Sequence, residues 1–508
     1  MASPLMLALI FVASTYVFLF ALLHLTQDSK EPPVIKTLIP FLSPLHGFIT
    51  DLQNFTIKLR DKHNLPIYTL RLPGQRVYIV NSASLIPLVQ RLNKTIAFAP
   101  IEAQAAKAVM GVGPAGMAVI DSDKKFENDS YLSTFVPSTH PALSPGAALD
   151  DLSCATVQHL AESLENLSKN APATVELFSW VRSEIFKSIT ESIYGPKNPF
   201  RDIALEEAWY TFEPSILTHM INAWPTILAR KSHHAREHLL IPAFEKYFAE
   251  NGHQEGSLLV QCRYKHNTSH GLQGRDIAAT EIGQMVASLV NTIGSAFWMV
   301  YNVFSDPIVL RECRAEVEQL VQLESNDVQS IDLAKIKSSC TTLFSTWQET
   351  LRYMHIGIVA RLVMEDVMLD NKYLLKKGAT LMVSTSVQNS DTSIWGPTVN
   401  SFDHRRFVSQ PGEKRKSPAA FRPFGGGTVF CPGRHFATAD VLSFVALLLL
   451  RFDLEPITKN GKWVKPRKEM TMTASMPTPK DGTQVKLVPR GKQQGRVNIT
   501  TSGKTQYY

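Results

Sequence analysis

Cys431 stands in the run Phe424-Gly-Gly-Gly-Thr-Val-Phe-Cys431-Pro-Gly433-Arg434, between an aromatic-glycine turn and a Pro-Gly-Arg exit, directly ahead of the apolar stretch 436–450. A sulfur presented this way can act as a thiolate ligand to haem iron. Glycines such as Gly427 and Gly433 let the backbone approach a flat porphyrin and turn amide N–H groups toward the sulfur. An axial thiolate pushes electron density onto the iron and favours O–O cleavage. The competing reading is packing, since a cysteine in a glycine-rich turn is often a small buried hydrophobe. The motif by itself leaves both open.

Two elements upstream bear on that choice. Glu349-Thr-Leu-Arg352 lies in a segment of helical spacing, so an acid and a base three residues apart share one face. A solvated surface pair is the ordinary fate of such spacing. The run Phe402-Asp-His-Arg-Arg406-Phe407, however, offers a second arginine to the same carboxylate 25 residues before Cys431. The ExxR pair, the aromatic-flanked arginine and the cysteine loop, in this order, resemble the haem-thiolate cytochrome P450 family.

The resemblance implies a mainly α fold with a smaller β portion and haem b as cofactor, with Cys431 as its axial ligand. Glu349, Arg352 and Arg406 would form the lock behind the haem, and Phe424, Gly427, Gly433 and Arg361 would lie against the cofactor. Its finer grain is similar to the branch of cholesterol and oxysterol 7α-hydroxylases, sterol 12α-hydroxylase and prostacyclin synthase. That grain is carried by Glu31-Pro-Pro33 with Leu38-Ile-Pro40, and by Ala287-Ser288-x-x-Asn291-Thr292 with Phe297-Trp298. Most family members place an acid and then Thr at the haem-facing kink of the central helix, where they help deliver protons. Here those positions are Val290 and Asn291, with Thr292 one residue later. An amide donates and accepts hydrogen bonds but relays a proton poorly, and Thr292 can instead bond its own helix. The branch contains both hydroxylases and an isomerase, so both chemistries stay open, with Asn291 and Thr292 facing the oxygen site in either. Val429 replaces a basic residue that many members aim at a haem propionate, and the usual Trp-x-x-x-Arg propionate motif is absent from 131–146.

The chain carries no flavin or nicotinamide motif, so electrons for oxygen reduction must come from a partner. The resemblance implies NADPH-cytochrome P450 reductase, with a small b-type cytochrome as a second donor and a lipophilic substrate: a sterol, terpenoid or other polycyclic secondary metabolite. Lys414-Arg-Lys416 reads either as a solvated loop or as a docking patch for an acidic donor. The net charge of +7 is dispersed, with no nucleic-acid motif beside it. Five scattered cysteines argue against a disulfide framework.

Positioning elements follow from pattern. Residues 1–27 hold no charged side chain, and 5–25 is an almost continuous apolar run, which as a helix spans roughly 30 Å, the thickness of a bilayer core. A signal peptide would need a basic n-region, which is missing. Lys30 and Lys36 follow the span, placing the body on the cytosolic side of the endoplasmic reticulum membrane as a single-pass protein. Residues 28–37 with Pro32-Pro33 form a hinge, 38–490 one catalytic core without an internal linker, and 491–508 a polar tail expected to be disordered. Within the core, 66–80 reads as a hairpin, 152–168, 174–194 and 202–213 as helices, 276–305 as a long helix closed by Asp306-Pro307, and 373–387 and 483–488 as strands. Gly111-Val-Gly113-Pro-Ala-Gly116 matches a dinucleotide fingerprint but follows a helix-like stretch where a strand is required, and the sequon at Asn498 would face the cytosol.

Overall fold

The computed structural model describes residues 3–170, 172–222, 224–325, 328–409, 417–427, 429–490 and 496–500. The Lys414–Lys416 cluster and tail residues 491–495 and 501–508 lie outside the described residues. The chain divides into two compact units interleaved in sequence: Met1–Ile101, Ile356–Asn400 and Arg415–Phe430 in one, and Glu102–His355, Ser401–Lys414 and Cys431–Tyr508 in the other.

The first unit begins with helix α1 (Pro4–Leu25), whose apolar side chains are exposed almost throughout, Leu5 at 72% and Phe11 at 71%. With a mean hydropathy of 2.5 it is the one unbroken helix among the described residues long and apolar enough to cross a bilayer. Helix α2 (Leu42–His63) follows, and then the expected hairpin of β1 (Ile67–Leu72) and β2 (Gln75–Val80), turning at Gly74 with φ +69°. A five-stranded sheet forms with β3 (Ile96–Ala97), β4 (Ile358–Val363) and β5 (Thr380–Ser384) in the order β1-β2-β5-β4-β3. The β2–β5 pair is parallel and the others antiparallel. Side chains alternate across the pleat: Val77 and Ile79 pack with Leu52 and Leu59 of α2, while Tyr78 and Val80 join Leu381 and Val383 on the opposite face. A sheet buried on both sides needs apolar residues at successive positions, so 77–80 reads as an unbroken hydrophobic run.

The second unit is mostly helical. Helices α3 (Ala147–Lys169), α4 (Leu177–Tyr194), α5 (Gly274–Met285), α6 (Asn291–Phe304), α7 (Pro307–Glu318), α8 (Thr341–Met354) and α9 (Arg434–Arg451) make its centre. The expected 276–305 helix is interrupted by a π-helical turn, Val286–Val290, between α5 and α6. Asp306 ends one helix by starting the next: its carboxylate accepts from the Ile308 and Val309 amides at 2.8 and 3.4 Å, and Pro307 occupies the first turn of α7, where its missing N–H costs nothing. Residues 496–500, inside the tail expected to lack order, form a strand parallel to Val328–Asp332.

Helix α9 packs on α3, α6 and α7 and is buried on nearly every side. Asp440 lies fully buried within it, and neither carboxylate oxygen has a hydrogen-bond partner among the described residues. Burial holds its pKa well above 3.8, so the folded protein keeps a proton that the unfolded chain releases. Stability from this group is therefore whole below pH 3.8 and declines as pH rises toward the folded pKa. Asp440→Asn should raise the thermal midpoint by several degrees at pH 7.5, with the gain shrinking toward pH 4. A difference indifferent to pH, in melts recorded across that range, would contradict the assignment.

Candidate active site

The glycines before Cys431 are required for distinct reasons. Gly425–Gly426 pairs antiparallel with Val429–Phe430 in a minimal hairpin. A Cβ on Gly426 would come within 2.8 Å of the Gln90 amide nitrogen, and one on Gly427, already at φ +68°, within 2.8 Å of the Gln90 side-chain stem. Phe424, at the head of this turn, is half-buried. Cys431 opens the following segment of the second unit, two residues before Gly433, the N-cap of the 18-residue helix α9. A helix N-terminus and the neighbouring Arg434 both favour negative charge on sulfur.

Of the five cysteines, Cys431 is the exposed one; Cys313 and Cys340 are buried, and burial pushes both thiols up to about 12. Although Cys431 has an accessible face, enough protein surrounds its sulfur to push its pKa above 9.0 as well, with the Gly433 amide and Arg434 pulling the other way.

The predicted lock is assembled within the second unit. Glu349 on α8 is fully buried, and Arg352, one turn later, grips it in a fork: Nε to Oε2 and Nη2 to Oε1, both 2.7 Å. Arg406 adds its Nε at 3.1 Å from each carboxylate oxygen. The Asp403 amide donates to Glu349 Oε1 at 3.1 Å, and both guanidiniums donate to the Ser401 carbonyl, at 3.3 and 3.1 Å. The Phe407 amide donates to Ser345 Oγ on the same helix at 3.0 Å. One carboxylate thus ties the segment 401–407 to α8.

Asn291 begins α6 directly after the π turn, with Thr292 buried beside it. The Asn291 side-chain carbonyl accepts from the Ser475 and Met476 amides at 2.7 and 3.3 Å. Gly294, one turn on, leaves no slack: a Cβ there would sit 3.1 Å from Met476. Trp298 Nε1 donates to the Pro477 carbonyl at 2.7 Å. Residues 291, 294 and 298 share a helix face, so Asn291 belongs to a three-point seam that holds the irregular segment 475–477. Its side-chain carbonyl is engaged there.

Arg361 is buried on β4 in the first unit and donates to the Ile96 carbonyl at 3.2 Å. Arg422 of the same unit escaped the sequence reading. It is buried, donates to the Ala419 carbonyl and Gln388 Oε1 at 3.0 and 3.2 Å, and has no carboxylate partner among the described residues. Burial lowers its pKa to about 10. Being the sole charge in 417–433 was the available signal. The GxGxxG decoy is accounted for by packing: the Gly113 and Gly116 amides donate to the two Asp276 oxygens at 2.7 and 2.8 Å, after a helical turn and not a strand.

The cytochrome P450 family model matches residues 32–485. The chain belongs to the cytochrome P450 family. Cytochrome P450 monooxygenase nodJ of Hypoxylon pulicicidum is 33% identical over 476 residues, covering 91% of this chain and 90% of that protein. Cytochrome P450 7B1 of Mus musculus is 25% identical over 481 residues, 89% of this chain and 90% of its own. Cholesterol 7-alpha-monooxygenase of Cricetulus griseus is 24% identical over 467 residues, 86% and 89% respectively. The similarity to the sterol-hydroxylase branch read from the finer motifs is thus matched by whole-chain relatives. As a cytochrome P450 the protein is a monooxygenase, an oxidoreductase whose haem is held by a cysteine thiolate.

The residues present fit that group. The second unit carries an exposed cysteine, a soft sulfur donor, at the start of α9; the first unit, taken by itself, carries a turn whose two glycines leave no room for side chains and, in Arg422, a buried cation of the kind an acidic substituent requires. Removing one member of a buried ion pair leaves an uncompensated charge costing about 3–5 kcal/mol, a large share of a typical stability of about 5–15 kcal/mol. Arg352→Ala should therefore yield protein with little bound haem and a strong tendency to aggregate, read as haem-to-protein ratio. Arg406→Lys, which keeps charge but loses the fork, should retain more; normal haem content in Arg352→Ala would remove the structural role.

Proposed function

We propose that this cytochrome P450 is an endoplasmic reticulum membrane enzyme, anchored by α1 with its catalytic body on the cytosolic side, that hydroxylates a lipophilic polycyclic molecule such as a sterol or terpenoid. One atom of O2 enters a substrate C–H bond, the other leaves as water, and NADPH supplies two electrons through NADPH-cytochrome P450 reductase, assisted by a small b-type cytochrome. Haem b, when bound, supplies the oxygen activation. Cys431 would hold its iron through the thiolate. The observation that carries this reading is Cys431, an exposed residue directly ahead of the N-terminus of α9, while Cys313 and Cys340 are buried as thiols. The relative named as a cholesterol monooxygenase and the exposed apolar α1 support a lipophilic substrate met at a membrane.

In this reading Phe424, Gly427 and Gly433 shape the ligand loop, and Arg361 and Arg422 supply the charge toward the propionates that Val429 cannot. Asn291 has a positioning task through the 475–477 segment, and its NH2 together with the Thr292 hydroxyl orders the water through which protons arrive.

Cys431→His should abolish the red-shifted ferrous carbonyl Soret band of thiolate ligation; persistence of that band would remove Cys431 from the role. Asn291→Ala should keep the band but uncouple turnover, consuming NADPH and releasing peroxide while product falls about a hundredfold, the lower end of what a proton-transfer group contributes. Product assays with and without NADPH and reductase test the reaction class: full wild-type turnover with no electron source would identify a rearrangement and overturn hydroxylation.

A further inference from the structure

The last turn of α1 does not simply end in the chain that follows. Leu22 and Thr26 lie against the β1–β2 turn and the approach to β5, enclosing a cavity of about 360 Å3 within the first unit. Leu22, Phe41 and Leu72 give it an apolar side, Arg71, Arg76 and Lys377 a cationic one, and no carboxylate lines it. Gly74 and Gly378, at φ +69° and +79°, form two of its edges, and a Cβ at either would meet nothing within 4 Å, so those edges are open.

The neighbouring acids are engaged elsewhere. Glu31 pairs with Arg76 at 2.9 Å and accepts from the Tyr78 hydroxyl at 2.6 Å. Asp366 and Asp28 face Lys376 at 3.1 and 3.6 Å. Arg71 is left with no ion pair among the described residues: one Nη2 bond to Thr26 Oγ1 at 2.9 Å holds it, and its buried Nε has no partner. Lys377 is exposed and likewise forms no ion pair among the described residues. A guanidinium with open donors beside a second guanidinium and an ammonium selects a multi-oxygen anion, which accepts from the arginine fork at two points.

Its position specifies the source of that anion. At about 1.5 Å per residue the 22-residue α1 spans the hydrocarbon layer, so its final turn lies at the level of lipid headgroups. We infer that this cavity binds the phosphate-bearing headgroup of an anionic lipid, with Arg71 and Lys377 on the phosphate and the apolar side toward the lipid's glycerol and first methylenes. The inference rests on the reading of α1 as a membrane anchor.

Full-length holoenzyme tests the two separately. Flotation with neutral phosphatidylcholine vesicles reports on the anchor alone. Retention of phosphatidic acid by holoenzyme in phosphatidylcholine nanodiscs, read by native mass spectrometry, reports on the cavity. Wild type should retain phosphatidic acid in preference to phosphatidylcholine, and each of Arg71→Gln and Lys377→Gln should weaken retention about fivefold, as expected for one basic residue at a membrane surface. Both variants should still float and keep the wild-type Soret spectrum; Lys377, exposed and unpaired, covers the possibility that Arg71→Gln disturbs the end of α1. Undiminished retention in both variants overturns the site. Displacement of the lipid by inorganic phosphate at equal concentration overturns the lipid as its source. Failure to float overturns the anchor, whatever the retention.

Discussion

Two guanidiniums converging on the buried carboxylate of Glu349 set the terms for the second unit. An ionised carboxylate at zero exposure is costly unless it is paired and hydrogen-bonded, and a buried guanidinium gains likewise from a partner. The cost of burying these charges is recovered only when the fork from Arg352, the Nε of Arg406, the Asp403 amide and the Ser401 carbonyl are all in place. Such a cluster has few partially formed states. It therefore fixes the irregular segment 401–407 as firmly as a regular element would, although that segment has no ladder of its own.

The opposite arrangement is seen at Asp440. There an acid is buried with no partner among the described residues and is accommodated by staying protonated. The two sites show how burial is met differently for similar groups: where cations can be recruited from a distant loop, the acid is paired and ties elements together. Where the surroundings are helix α9 and its apolar neighbours, charge is given up.

Much of this was legible in the sequence because it is local. The glycine-framed Cys431, the three-residue spacing of Glu349 and Arg352, the hairpin at 66–80 and the apolar α1 all declare themselves within a short window. What sequence could not reveal is non-local. The seam between Asn291, Gly294, Trp298 and the segment 475–477 joins groups up to 185 positions apart, and nothing in either stretch signals the other. Arg422 went unnoticed because one of its hydrogen-bond partners, Gln388, lies 34 positions away. The strand at 496–500 lies in a tail that is polar overall, and the segment it pairs with, 328–332, is some 168 positions away.

The π-helical turn at Val286–Val290 has a consequence for how the central helix can vary. Such a turn is an α-helix carrying more chain than its hydrogen-bond ladder needs. The wider turn absorbs that surplus, so the helix on either side keeps the phase of a single α-helix. Losing one residue there would leave an uninterrupted helix with Asn291, Gly294 and Trp298 still turned toward the 475–477 segment. Losing one residue from the regular turns of α6 ahead of Gly294 would instead rotate everything downstream by about 100°, the angular step of one residue in a helix of 3.6 per turn. The bulge thus acts as slack in the chain, the one stretch of the central helix where a residue can be lost without turning the face that follows.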